Sequence, residues 1–390
     1  MLIRKFRDRR GGPFRLVAAS AALALVAVAC GDDTDADDTG DPEGTEDVAD
    51  DDADDDADDV DDDADADAAE DAEDVELSYA FFAPEVTFPA VQMQEWADEL
   101  DARTQSQVNV DLFPGGTLLG AGDIYDGVSS GVADVGMDSP AYDVSRFPLS
   151  AGVALPLGFE SSQAASHAML DLIEEFEPAE FDGFEIITAF TTEPAYLQTV
   201  EPVTSRDDLA GMELRSAGAG VPGLELLGAA PVGMPMPEVA ESLQTGVIEG
   251  YMSSREVLQD FGLAEQVGYV TDYPFNISNT FVAVMDEDRF AELPQDVQDA
   301  IHELRREMTT FASEFHDEEN VGQALEWAAA EHGTETVELD DGEAEAWDAE
   351  LEAVIDDWLA EASEAGIDAE AVLDRLNELR DEYNAEYSAN

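Results

Sequence analysis

The sequence predicts an α/β protein of two domains carried behind an export leader. Three observations point there. From Val75 onward, short apolar strands alternate with amphipathic helices. The 390 residues, 44% of them hydrophobic, suffice for two domains with real cores. The N-terminal stretch, first basic, then apolar, then almost wholly acidic, differs in texture from everything after it.

Arg4, Lys5, Arg7, Arg9, Arg10 and Arg15 form a positive n-region. "LVAASAALALVAVA", residues 16–29, is an apolar run too short to span a bilayer comfortably. It ends in "AVAC" at Cys30, the single cysteine, which excludes an intrachain disulfide. Small residues before a lone Cys resemble a bacterial lipobox. Residues 1–30 therefore read as a lipoprotein signal peptide, with Cys30 lipidated and the chain held to the membrane by that anchor only. "RDRRGGPF" matches a twin-arginine signal loosely, so the export route stays open. Residues 31–74 have almost no large apolar side chains and cannot bury a core. Self-repulsion makes them an extended acidic tether. They lack the glycine and closing glutamate of a calcium loop.

Charge narrows the function classes. Asp and Glu number 94 against 16 Lys and Arg, a formal net charge of −78. Such a surface repels nucleic acid and anionic lipid and keeps a protein soluble. Spread along the whole chain, it is the habit of proteins from salty surroundings. Beyond the leader there is no lysine at all, so each remaining arginine asks for a reason. Pairing with a surface carboxylate is the ordinary one.

The elements follow in order. "ELSYAFFA" (76–83) is a strand stopped by Pro84. "FPAVQMQEWADELDART" (88–104) puts Val91, Trp96 and Leu100 on one helical face. "QVNVDLF" (107–113) alternates as a strand and ends at "PGG". "AGDIYDGVSSG" reads as helix and "VADVGMDS" as strand. The rhythm recurs at "FEIITAF", "GMELRS", "PEVAESLQTGV" with "IEGYM", and "NTFVAVM". Residues 293–333 form a long helix, and two amphipathic helices close the chain. Alternation of this kind predicts mostly parallel sheets, whose ligands sit beyond the carboxyl ends of the strands. Arg215, Phe82, Tyr142 and the run Tyr251–Arg255 lie at such ends.

Several motifs carry less than they promise. "GAGVPG" (218–223) matches G-x-G-x-x-G, but under two helical turns follow it, too few for a dinucleotide unit. "GVSSG" (127–131) matches G-x-S-x-G in the order helix, turn, strand, the reverse of a nucleophile elbow, so Ser129 reads as ordinary. The four histidines are scattered and "HDEEN" (316–320) reads as a solvated helical face. Neither a Cys/His metal cluster nor a cofactor motif is present, so no cofactor and no metal are expected.

Many blocks, in one order, resemble the DctP-type solute-binding proteins of TRAP transporters (tripartite ATP-independent periplasmic). They run from Leu77 to Tyr383: "WADELDARTQSQVNVDLFPGGTLLG", "GVSSGVADVGMDSPAY", "RFPLSAGVALPLGF", "LPQDVQDAI" and, most specific, "DLAGMELRSAG…LGAAPVGMPMPEVAESLQTGVIEG". The resemblance implies a two-domain, Venus-flytrap fold like that of periplasmic binding proteins. Crossing strands would join the domains, a long helix would bridge them, and the ligand cleft would lie between. Domain I would hold 75–192 and 281–320, domain II 193–280 and 321–390, with hinges near 192 and 280. It implies cargo handed to small and large membrane subunits, and a substrate carboxylate paired with the arginine matching Arg215. Guanidinium suits that role, offering two parallel donors and keeping its charge in a closed cleft.

The family's "E-N-P" is here "YMSSRE", which puts Ser253, Ser254 and Arg255 where a polar contact is expected. Arg255 is either a second carboxylate ligand or the partner of Glu256. Ala195 and Tyr196 stand where some sialic-acid binders have arginine, which argues against that sugar. Phe82, Tyr142, Tyr196, Met236, Tyr251 and Phe275 are candidates for an apolar cleft wall suited to a small organic acid. Other classes are an ABC-type importer's binding lipoprotein, a secreted hydrolase using Ser129, and a structural surface lipoprotein without a cleft.

Overall fold

A computed structural model describes residues 74–387. The lipobox Cys30 and all but the last residue of the acidic tether lie outside them. Eleven strands form two sheets. They are β1 (Val75–Phe81), β2 (Val108–Phe113), β3 (Val135–Asp138), β4 (Phe184–Thr191), β5 (Tyr196–Thr199), β6 (Glu213–Ser216), β7 (Ala230–Gly233), β8 (Gly250–Ser253), β9 (Tyr269–Thr271), β10 (Thr280–Asp286) and β11 (Glu335–Val337). The first sheet runs β2-β1-β3-β10-β4 and the second β11-β9-β5-β8-β6-β7. Each is the floor of one lobe.

The sheets are mixed rather than mostly parallel. β10 pairs antiparallel with β3 and β4, and β5 pairs antiparallel with β8 and β9. Both irregular strands directly follow a crossing between lobes, so they enter their sheets from the opposite side. The short strands β5, β7, β9 and β11 carried no period that would separate them from loops. The helix Ser162–Phe176 was likewise missed, because its small residues blur the stripe.

The two crossings run side by side. Thr192 N–H donates to the Asn279 carbonyl at 3.0 Å and Ala195 N–H to the Asn276 carbonyl at 2.8 Å. Pro194 and Ile277 form an antiparallel bridge between them. A third connection is helical. Helix α3 (Gln295–Phe315) continues through a π-helical turn, His316–Asn320, into Val321–Trp327. To His332 it extends roughly 55 Å at about 1.5 Å per residue. Its first half packs on β4, on α1 (Phe88–Arg103) and on α2 (Ser162–Phe176). Its second half packs on the short helix Val257–Asp260 of the other lobe.

The π turn corrects one expectation. "HDEEN" is not a solvated face: His316 is fully buried and Asn320 nearly so. His316 Nε2 accepts the Glu193 N–H at 3.0 Å, tying the long helix to the first crossing. The π-helical geometry turns His316 inward onto Phe88, with ring centroids 4.2 Å apart.

The C-terminal helices also sit differently from the expected division. α4 (Glu343–Glu364) spans both lobes. Trp347 near its start packs on Tyr273 and Phe275, whereas Trp358 donates to the Pro148 carbonyl at 2.9 Å. α5 (Ala369–Tyr387) lies along α2 in the first lobe, held by Arg375–Glu175 and by Tyr383 on Asp171. A sequence division has no access to that return.

The crossings are clamped by one ion pair. Arg255 gives Glu193 two side-chain hydrogen bonds, Nε to Oε1 at 2.9 Å and a terminal nitrogen to Oε2 at 2.6 Å, and its backbone N–H adds a third at 2.9 Å. Removing one partner of such a bidentate, largely buried pair strands the other charge. Glu193→Gln should therefore lower unfolding free energy by about 3 kcal/mol, read as a lower urea midpoint at unchanged m. A loss below about 0.5 kcal/mol would reduce the clamp to an ordinary surface pair.

Candidate functional site

Arg215 sits on β6, beside Tyr251 of β8 and Val232 of β7. Its strand is short because Gly218 and Gly220 follow. A Cβ at Gly218 would come 3.1 Å from the Ala141 carbonyl of the first lobe, and one at Gly220 would overlap Ser216 and Met252. Glycine lets this turn close against the opposite lobe. The helix after it, Val221–Leu226, has six residues, which settles "GAGVPG" as a packing turn rather than a dinucleotide loop.

The guanidinium is fully buried. Nε donates to the Met234 carbonyl at 2.8 Å; the terminal nitrogens meet no carboxylate or carbonyl, and the side chain that interacts with them is the Tyr142 phenol, outside good hydrogen-bond geometry. Every other arginine among the described residues pairs with a carboxylate. Burial pushes the Arg215 guanidinium below its ordinary range, and Tyr142, Tyr251 and Glu238 oppose that shift. A lone interior cation of this kind costs several kcal/mol unless something meets it.

Next to it the lobes enclose a narrow cavity. Its walls are Phe81, Phe82, Phe88 and Phe281 from one lobe and Met236, Val257 and Phe261 from the other, with Tyr142, Thr192, Asn279, Glu256 and Asp260 among them. As the lobes sit, it leaves room for little more than a water molecule, so a larger ligand requires them to part. Arg215 does not itself line the cavity. Tyr142 and Met236 do, and they are joined by a 3.3 Å bond from the Met236 N–H to the Tyr142 hydroxyl. A larger recess between the Gly218 turn and α4 is walled by Pro148, Trp358 and exposed carboxylates, with no unpartnered buried donor.

The candidates thus separate. Phe82, Tyr142 and Met236 line the cavity beside Arg215. Ser253 is buried with its hydroxyl 3.2 Å from that of Ser278, and the Ser254 hydroxyl donates to Glu256 at 2.8 Å. Tyr251 donates to Gln198 at 2.9 Å from within the second lobe's core. Arg255 pairs with Glu193, neither with Glu256 nor as a free cation, and Tyr196 is the ring beneath it, 3.9 Å from centroid to guanidinium. Burial works against the Arg255 charge, yet the bonds and charge of Glu193 more than offset it and hold the group above its ordinary range. Phe275 belongs to the Tyr273–Trp347 cluster. Arg255, Tyr196 and Phe275 are therefore already engaged by the protein. Ser129 is exposed at the end of its helix.

Glu256 and Asp260 escaped the sequence reading. They fall in an acidic stretch of an acidic chain, and only folding reveals that they are turned inward. Burial raises Asp260 to about 7, while Asn320 and the Phe88 amide act the other way. The sign follows from linkage. The unfolded carboxyl titrates near 4, so stability present below that pH is lost as pH rises to about 7. His316, lowered by burial to about 4, works in the opposite sense, so a difference between variants isolates Asp260. Asp260→Asn should match wild type in stability near pH 4 and exceed it by roughly 2–4 kcal/mol above pH 7. A gap that does not vary with pH would remove Asp260 from this role.

Comparison with known proteins agrees with this architecture. Residues 82–362 match DctP, the bacterial extracellular solute-binding protein family 7. A TRAP periplasmic solute-binding protein from Desulfovibrio salexigens is 40% identical, with TM-score 0.72, over 80% of this chain and 98% of that one. Its crystal holds the C-terminus of a symmetry mate in the ligand-binding site. A second, from Bordetella bronchiseptica with bound mandelate, is 26% identical, with TM-score 0.73, over 79% and 99% of the two chains. The ectoine/5-hydroxyectoine-binding periplasmic protein of Ruegeria pomeroyi is 28% identical over 57% of this chain and 68% of its own. The family is one of solute-binding proteins, not of enzymes. With two mixed sheets, paired crossings, a bridging helix and a cavity between lobes, the chain belongs to the DctP family of TRAP-transporter extracytoplasmic solute-binding proteins.

Proposed function

We propose that this receptor binds a small organic acid between its lobes, with the carboxylate on Arg215, and delivers it to the membrane subunits for ion-gradient-driven uptake. The observation that carries the reading is the pair of terminal nitrogens, on a fully buried guanidinium, that have no carboxylate partner and only Tyr142 beside them. A carboxylate supplies two acceptors in the spacing those donors require. Parting of the lobes would admit water to the guanidinium, and closure on a ligand would replace that water with the carboxylate. The motion would turn on the paired crossings and the π turn. The phenylalanine-rich wall favours an acid with a compact apolar or aromatic body, a class to which mandelate, carried by the Bordetella relative, belongs. The same reading includes lipid anchoring at Cys30 and a salt-rich habitat, on the strength of the lipobox-like run and the charge of −78.

Thermal unfolding in molar salt against a panel of organic acids tests it. A ligand at about 100 times its dissociation constant should add roughly 2.7 kcal/mol of stability to the wild-type protein. Arg215→Met should abolish that response. It should also melt above wild type without ligand, because it removes a buried charge that the protein does not meet. A variant that melts lower, or still responds to the acid, would make Arg215 a structural residue.

A further inference from the structure

The cavity wall itself holds a second unmet group. Glu256 is 4% exposed and lines the cavity. Its Oε1 is held by the Ser254 hydroxyl, while Oε2 is buried with no hydrogen-bond partner. The nearest basic nitrogen, His316 Nε2, stands 3.9 Å away and already accepts the Glu193 N–H, so it has no proton to offer. Asp260 reaches the same cavity, its carboxylate met by the Phe88 amide and, at 3.4 Å from both oxygens, by Asn320. Tyr251, the register partner of Arg215 on β8, also interacts electrostatically with Glu256. The cavity wall thus carries an acceptor without a donor, Glu256 Oε2, among aromatic rings, and Arg215, outside the wall, adjoins it through Tyr142, which lines the cavity and interacts with the guanidinium.

Resting on the proposal that Arg215 takes a carboxylate, we infer that the cargo is a zwitterion: a carboxylate and a cationic nitrogen on one compact body, the nitrogen held by Glu256 and Asp260. A plain carboxylic acid leaves Glu256 Oε2 without a donor in a dry site, and an unmet buried acceptor weakens binding. An ammonium or amidinium donates there with charge assistance and lies well against the faces of Phe88 and Phe281. Burial, with Asp260 and Glu193 nearby, pushes the Glu256 carboxyl well above its usual range. An arriving cation offsets that cost. A dicarboxylate would instead place its second charge against two acids.

Matched probe pairs test this on the full chain by calorimetry. Piperidine-4-carboxylate is compared with cyclohexanecarboxylate, and 3-(aminomethyl)benzoate with 3-ethylbenzoate. In each pair the nitrogen-bearing member should bind about tenfold tighter, a difference of about 1.4 kcal/mol. Glu256→Gln, which keeps shape and loses the charge, should bring the ratio within each pair to about one. Asp260→Asn should lower it in the same direction. Tighter or equal binding of the nitrogen-free members would overturn the inference, as would a preference that survives both substitutions. So would failure of all four probes in a protein that binds some other acid through Arg215. Binding that ignores Arg215→Met would sink the carboxylate reading itself, a separate result.

Discussion

The structure is organised around a guanidinium that the protein buries without a carboxylate partner. Arg215 could have been neutralised anywhere in a chain so rich in carboxylates, yet neither acid of the neighbouring cavity pairs with it: Glu256 takes the Ser254 hydroxyl on one oxygen only, and Asp260 takes Asn320 and the Phe88 amide. Such an arrangement persists only because the rest of the fold over-determines it. Strand β6 is pinned between β7 and β8, and Nε is fixed on the Met234 carbonyl. Glycines let the turn beyond it press against the first lobe.

The same chain handles its other charges in the opposite way. Arg255 could have competed for an anionic ligand, but Glu193 takes the Nε–Nη2 edge of its guanidinium and Tyr196 covers a face. Neutralised, that arginine becomes part of the joint between lobes, where the two crossings and the π turn of the long helix meet at Glu193. One arginine is left without a carboxylate and one is paired at the crossings. The difference lies in which carboxylate folding brings near, not in the residue type.

The hinge and cavity are also mechanically linked. His316 joins the first crossing through Glu193 and the cavity wall through Phe88. Asp260 stands at the start of α1 in the opposite lobe and contacts Asn320 at the end of the π turn. One contiguous set of buried polar groups thus joins the first crossing, the π turn and the cavity wall.

The sequence by itself determined a good deal. Hydrophobic period placed α1, β2 and the long helix, and continuous apolar runs placed β1 and β10, which are buried on both faces along much of their length. The ordered motifs around "MELRSAG" located Arg215, because a strand end followed by glycines can be read locally. Tertiary structure alone decided which groups meet. Glu193 with Arg255, His316 turned inward at a π bulge, α5 folded back on the first lobe, and Glu256 with Asp260 facing a cavity all join residues far apart in the chain or bury what composition marks as surface. In a protein with 94 acidic residues, an inward-facing carboxylate has no local signature. Its meaning comes from desolvation, and desolvation exists only once the lobes have formed.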